Sequence, residues 1–206
     1  QQCINTDEYD NIKSVVNDYL KEGIAHTLDE TRNLSDSGQF EDISLQQGIR
    51  QILYPYEEME VLNPEWEVIL KDIIDSLFEQ MSDEEYNILN EEFGTYMVSR
   101  AYEYRQLLEY FVFRYFAKSI YDYDFLGKCQ MLVTNFFVIR QMDIIRWLDN
   151  HREYSFKDRM DVVHIFSRQV EYSEDNIENL YEDFIFDDIF KTDSLIAILW
   201  IDSENI

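Results

Sequence analysis

The sequence predicts an all-α protein, an irregular multi-helix bundle with two central, largely buried helices. Apolar residues recur three and four positions apart along most of the chain, as one face of an amphipathic helix requires. Only 5 glycines and 2 prolines occur in 206 residues, too few for the many tight turns of a sandwich or a barrel. Hydrophobic residues make up 46% of the chain and aromatic residues 16%, which favours a packed core over disorder.

The first half of the chain carries the clearest start and stop signals. Asn63 before Pro64 is typical of a helix start, and Ser82 with Glu85 forms a capping box that begins another helix. Pro55 and Gly94 are expected to end the helices that precede them. We therefore predict helices over residues 9–20, 40–53, 64–81 and 82–93, with a loop over residues 33–38.

The two central helices are expected over residues 95–121 and 125–148, which are the most apolar stretches. Ser155 with Asp158 caps a following helix, and another amphipathic helix should cover residues 173–190. The apolar tail over residues 195–201 must dock on the body or on another chain. We divide the compact unit into an acidic amphipathic layer, residues 1–94, and the apolar central and C-terminal helices, residues 95–206.

The net charge of -26 excludes the partners that a basic protein would bind. Nucleic acid and anionic membrane faces would be repelled by such a field. Residues 100–168 depart from this balance, because they hold 11 basic and 9 acidic residues. Either this stretch is the buried heart of the fold, or its cations meet an anionic group of a ligand or partner.

Cysteine content and hydropathy predict a soluble protein of the cytoplasm. Cys3 and Cys129 lie far apart, which argues against a disulfide-stapled secreted domain. The longest charge-free stretch of the apolar centre, residues 129–139, is too short to span a bilayer. The chain begins with Gln1 instead of Met, so we expect a processed product or a fragment of a longer protein.

We find no set of catalytic residues in the sequence. Asp161 and His164 share a helix face, as in half of a di-iron site, but neither His26 nor His151 has an acid three residues before it. A histidine in the core or at its boundary is therefore the favoured interpretation of His164. Cys129 lies in an apolar helix and is expected to pack in the core. Glycines occur singly, so no phosphate-binding loop is present.

Arg114 is the most distinctive residue, because it lies among aromatic side chains in the first central helix. A guanidinium in such a place requires an ion pair, a stacked ring or an anionic ligand. Asp122, Asp124 or a carboxylate on the following helix are the expected partners, and Lys118 lies one turn further along. An internal ion pair is the alternative to a binding site. The candidate ligand- or partner-binding residues are Arg114, Tyr115, Lys118, Asp122, Asp124 and Arg140.

Several short segments resemble the C-terminal half of the flagellin lysine-N-methylase family. They are residues 54–56, 109–118, 121–126, 138–143 and 166–176. The resemblance implies methylation of flagellin lysines with S-adenosylmethionine and an iron–sulfur cluster in an N-terminal cysteine-rich region. Two cysteines cannot supply the four thiolates of an ordinary cluster. We therefore expect no cofactor on this chain alone and no activity in isolation.

The expected partners are flagellin or another lysine-bearing protein, and the missing N-terminal region of the same polypeptide. A non-enzymatic, acidic helical module that binds a partner protein is the alternative. A di-iron helical enzyme is a third hypothesis, and it would require iron bound through His164.

Overall fold

The computed structural model describes residues 43–204, and these residues are helical without any strand. The α-helices in chain order are α1 (Leu45–Glu57), α2 (Pro64–Ile73), α3 (Asp83–Met97), α4 (Ala101–Tyr115), α5 (Ser119–Asp122), α6 (Phe125–Asp149), α7 (Phe156–Phe166), α8 (Glu174–Phe186) and α9 (Thr192–Glu204). The all-α fold class is confirmed. The helix expected over residues 9–20 and the loop over residues 33–38 lie outside the described residues.

Shorter turns of other helix types join or extend these elements. Two π-helical segments follow α2 and α7, at Ile74–Glu79 and Ser167–Glu171. Three 3₁₀ turns occur at Val98–Arg100, Phe116–Lys118 and Asp188–Phe190. No helix in this part of the chain combines the length and hydropathy needed to cross a membrane.

The helix starts predicted from capping residues are confirmed. The Asn63 side chain accepts a hydrogen bond from the backbone N–H of Glu65 at 3.2 Å. Ser82 with Glu85 and Ser155 with Asp158 both form complete capping boxes. These contacts satisfy backbone donors that a helix start leaves without partners.

Two predicted helix ends are wrong, because tertiary packing carries the helix past the breaker. α1 runs through Pro55 to Glu57, and the hydroxyl of fully buried Tyr56 donates to Asn135 Oδ1 on α6 at 2.8 Å. α3 runs through Gly94 to Met97, with Phe93 and Met97 both buried on its inner face. Buried contacts on either side of a breaker offset its cost in helix propensity.

The prediction of a buried central helix is confirmed for α6. Sixteen of its 25 residues are buried, on every side of the helix from Thr134 to Ile145. It contacts α1, α2, α4, α7, α8 and α9. α6 is therefore the axis around which the other helices pack.

The same prediction is wrong for the first central helix. Residues 95–121 are divided among the end of α3, α4, α5 and two 3₁₀ turns. α4 buries only one face, formed by Glu103, Leu107, Phe111 and Tyr115. Phe113, on the opposite side, is 86% exposed. Apolar content alone could not distinguish a helix buried all round from one that exposes an aromatic face.

The apolar tail forms α9 and docks on the body, as expected. Leu195 and Ile198 are buried, and α9 contacts α1 and α6. A Cβ atom added at Gly48 would lie 2.9 Å from the Ile198 side chain. The absence of a side chain at Gly48 therefore permits the close approach of α1 and α9.

A buried network of charged and tyrosine side chains joins α4, α6 and α7. Asp143 on α6 is fully buried and accepts hydrogen bonds from the hydroxyls of Tyr104, at 2.7 Å, and Tyr154, and from the Arg159 guanidinium. Arg159 also donates to Glu103 at 3.3 Å. Burial raises the pKa of Asp143, and the charge of Arg159 opposes that increase. Each of the two buried charges is therefore stabilised by the other, and either one alone would be costly to bury.

We predict that Asp143→Asn lowers the free energy of unfolding by about 3 kcal/mol, because it leaves Arg159 buried without its main counter-charge. Urea denaturation monitored by circular dichroism would measure the loss. The matched control is Glu109→Gln, since Glu109 pairs with Arg105 on the surface with both side chains mostly exposed. That control should cost less than about 1 kcal/mol. A loss in Asp143→Asn no larger than in the control would contradict the prediction.

Candidate protein-binding surface

Arg114 lies on α4 and pairs with a carboxylate that the sequence did not indicate. Its Nε atom is 3.8 Å from Oε1 of Glu171, at the end of the π-helical segment after α7. The expected partners, Asp122 and Asp124, form their ion pairs with Lys128 instead. The Arg114 side chain is 43% exposed, so it lies at the boundary of the fold and not in its centre.

Glu171 is the buried centre of this cluster. It accepts hydrogen bonds from the hydroxyls of Tyr115 at 2.9 Å and Tyr110 at 3.1 Å. Tyr115 is buried, and both its burial and the nearby Glu171 carboxylate raise the pKa of its hydroxyl. Tyr115 therefore anchors α4 to the segment after α7, while Tyr110 and Arg114 reach the same carboxylate from the surface.

Asp122 and Asp124 meet at Lys128, a second residue that sequence reasoning missed. The Lys128 ammonium is buried, lies 2.8 Å from Asp122 and 3.7 Å from Asp124, and stacks 4.2 Å from the centre of the Tyr181 ring. Asp124 also caps α6 by accepting from the backbone N–H of Gly127 at 2.9 Å. Burial acts to raise the pKa of Asp122, but the hydrogen bond with Lys128, the backbone hydrogen bonds and the charge of Lys128 together outweigh burial and lower the pKa. These two carboxylates hold the start of α6.

Arg140 belongs to a different, fully internal cluster. It is buried on α6, donates to the Asn90 side chain at 2.9 Å and lies 3.5 Å from Asp202. Asn90 in turn donates to Asp202 at 2.8 Å. Arg140 therefore ties α3, α6 and α9 together, which is a structural role.

An exposed apolar surface lies beside the Arg114 cluster, along α4 and α5. We call it the aromatic face, and its members are Tyr110, Val112, Phe113, Ile120 and Tyr121, which are 43% to 86% exposed. Three exposed cations lie along the same stretch, at Arg105, Arg114 and Lys118. Single exposed apolar residues are common, but several close together mark interaction sites. Aromatic side chains and arginine are also the residues enriched in protein interfaces.

The other candidate chemical groups do not assemble into a metal centre. Within residues 43–204, no three His, Cys, Asp or Glu side chains are placed to hold a metal ion together. His164 does not pack in the core: it is exposed and is one of the residues that line a cleft between α2, α6 and α7. Cys129 is half-buried on α6, and burial raises the pKa of its thiol.

We predict that Tyr115→Phe destabilises the domain more than Arg114→Gln does. Loss of the Tyr115 hydroxyl removes a hydrogen bond to a buried carboxylate and should cost about 2 kcal/mol. Arg114 is exposed to solvent, so its loss should cost less than about 1 kcal/mol. Urea denaturation of both variants would measure the difference, and an equal or reversed order would contradict this assignment of roles.

Comparison with known protein families gives a match over most of the chain. The family model of the FliB lysine N-methylase C-terminal domain matches residues 1–198. No curated protein and no solved structure matches the chain. The matched range includes the aromatic face, the Glu171 cluster and the whole of α6.

Proposed function

The chain belongs to the FliB lysine N-methylase C-terminal domain family, and we propose that it is the helical C-terminal domain of a longer protein-lysine methylase. In that protein the domain supports the transfer of methyl groups from S-adenosylmethionine to lysines of flagellin or another protein. The family match over residues 1–198 carries this proposal. We further propose that the protein acts in the cytoplasm.

Buried ion pairs between helices support a scaffolding role for this domain. Asp143 pairs with Arg159, and Arg140 pairs with Asp202, each in the interior. Such pairs fix the relative positions of helices and leave the charged groups inaccessible to a substrate. We propose that the S-adenosylmethionine site lies in an N-terminal region together with the iron–sulfur cluster. The cluster requires such a region, because Cys3 and Cys129 cannot provide four cluster thiolates.

The distribution of charge suggests which partner meets which surface. The chain as a whole carries a net charge of -26, which would attract a lysine-bearing substrate. Along the aromatic face, Arg105 is paired with Glu109, Arg114 is paired with Glu171, and Lys118 adds a further positive charge, so this face offers no excess of negative charge to such a substrate. We therefore propose that the aromatic face docks on the N-terminal region of the same polypeptide, and that the substrate is attracted elsewhere.

A methyl-transfer assay tests the proposed division of labour. With labelled S-adenosylmethionine and flagellin, residues 1–206 alone should transfer no methyl groups, whereas the longer protein should methylate lysines. Because the two proteins share this domain, the difference reports on the upstream region. Sustained turnover by residues 1–206 would refute the proposal.

Substitutions on the aromatic face test the docking partner. Phe113→Ser should weaken binding between residues 1–206 and a separately produced upstream region by about 2 kcal/mol, as measured by titration calorimetry. The matched control is Phe186→Ser on α8, because Phe186 is also largely exposed, at 77%, and lies outside the face. Equal affinities of the two variants would show that the aromatic face is not the contact. Loss of flagellin binding in Phe113→Ser alone would assign the face to the substrate instead.

A non-enzymatic, acidic helical module that binds a partner protein is the second candidate function. The exposed aromatic face favours it, since such a face can bind a partner without any chemistry. The DNA sequence upstream of the codon for Gln1 distinguishes the two candidate functions. A reading frame that continues upstream into a cysteine-rich segment supports the methylase domain, and a frame that starts close to Gln1 supports the binding module.

A further inference from the structure

Helices α2, α6 and α7 enclose a cleft of about 450 Å³ on a side of the molecule formed by neither α4 nor α5. This volume lies within the range of small-molecule sites. The lining residues are Glu65, Val68 and Ile69 on α2, Arg146 on α6, and Asp161, His164 and Ile165 on α7.

The two walls of the cleft have the same chemical arrangement. On α2, Glu65 precedes the aliphatic pair Val68 and Ile69 by three and four residues, and on α7 Asp161 precedes Ile165 by four. Residues at these spacings share a helix face. Each wall therefore presents one carboxylate and an aliphatic surface to the space between them.

Arg146, from the third side, differs from the other arginines of the described chain. Residues 43–204 contain nine arginines, and seven form an ion pair with a carboxylate. The two without such a pair within this part of the chain are Arg146 and Arg168, and Arg168 is exposed whereas Arg146 is half-buried in the cleft. Asp158 interacts electrostatically with Arg146 but forms no ion pair with it, and a partly desolvated guanidinium without a direct ion pair is costly.

Arg146 lies in the last turn of α6, and this position offsets only part of the cost of burying its charge. The partial negative charge at the carboxyl end of a helix stabilises a cation only weakly. That interaction leaves the planar N–H donors of the guanidinium free to bind another group. These donors suit the two oxygens of a carboxylate.

We propose that this cleft binds a small zwitterion of the α-amino-acid class with an aliphatic or thioether side chain. The ligand carboxylate pairs with Arg146, its ammonium pairs with Asp161 or Glu65, and its side chain packs on Val68, Ile69 and Ile165. A simple anion would be repelled by the two wall carboxylates, and a simple cation would leave the guanidinium donors of Arg146 without a partner. A molecule that carries both charges satisfies both sets of groups. This binding is independent of the proposed function.

Titration calorimetry on residues 1–206 with L-leucine and L-methionine tests the proposal. Both should bind, and two analogues of leucine should bind about tenfold more weakly or not at all: leucinamide, which lacks the carboxylate, and 4-methylpentanoate, which lacks the ammonium. Inorganic phosphate should not bind. The proposal is overturned if neither amino acid binds at millimolar concentration, or if either analogue or phosphate binds as well as leucine.

Variants then locate the site. Arg146→Gln should lower the affinity for L-leucine about tenfold, whereas Arg168→Gln, at the exposed arginine without an ion pair, should leave it unchanged. Asp161→Asn is a second variant, and it removes a carboxylate that is proposed to pair with the ligand ammonium. It should weaken binding of L-leucine but not that of 4-methylpentanoate, which has no ammonium group. Thermal unfolding of each variant confirms that it is folded before titration. Unchanged leucine affinity in both folded cleft variants would place any binding elsewhere and refute the assignment.

Discussion

The ion pair between Asp143 and Arg159 is the interaction on which the arrangement of helices depends. It lies where α4, α6 and α7 meet, and both side chains are almost completely removed from water. A lone charge in such a place would cost several kcal/mol, so the pair is tolerable only while the helices stay in register. Tyr104 and Tyr154 complete the coordination of the carboxylate through their hydroxyl groups. The packing around α6 therefore has both an apolar and an electrostatic constraint.

Residues 100–168, which hold 11 basic and 9 acidic residues, contain both buried and exposed cations, and the sequence alone could not tell these apart. Lys128, Arg140 and Arg159 are buried, and each is paired with a carboxylate, as expected of the heart of the fold. Arg105 and Lys118 are exposed beside the aromatic face, as expected of a partner surface. The buried cations therefore support the first explanation of residues 100–168, whereas a partner for the exposed cations is part of our proposal.

The aromatic face and the cleft offer different chemistry to different classes of ligand. The aromatic face consists of exposed residues on α4 and α5 with Arg105, Arg114 and Lys118 along the same stretch, which suits a protein partner. The cleft is small and concave, and its charges of both signs suit a small zwitterion. In a methylase of this family, the first would hold the domain to the rest of the polypeptide. The second would give the scaffold a binding site of its own.

The sequence by itself determined the features that depend on neighbouring residues. The starts of α2, α3 and α7 were predicted because their capping hydrogen bonds connect residues two or three positions apart. The all-α class followed from the periodicity of apolar residues.

Only the tertiary structure decided which groups meet. Glu171 binds Tyr115 across 56 positions of the chain, and Asp202 binds Asn90 across 112. It also decided that α1 passes Pro55 and that α4 exposes Phe113. The physical reason is that a capping bond depends on local backbone geometry, whereas a long-range pair and the burial of a face depend on which helices pack together.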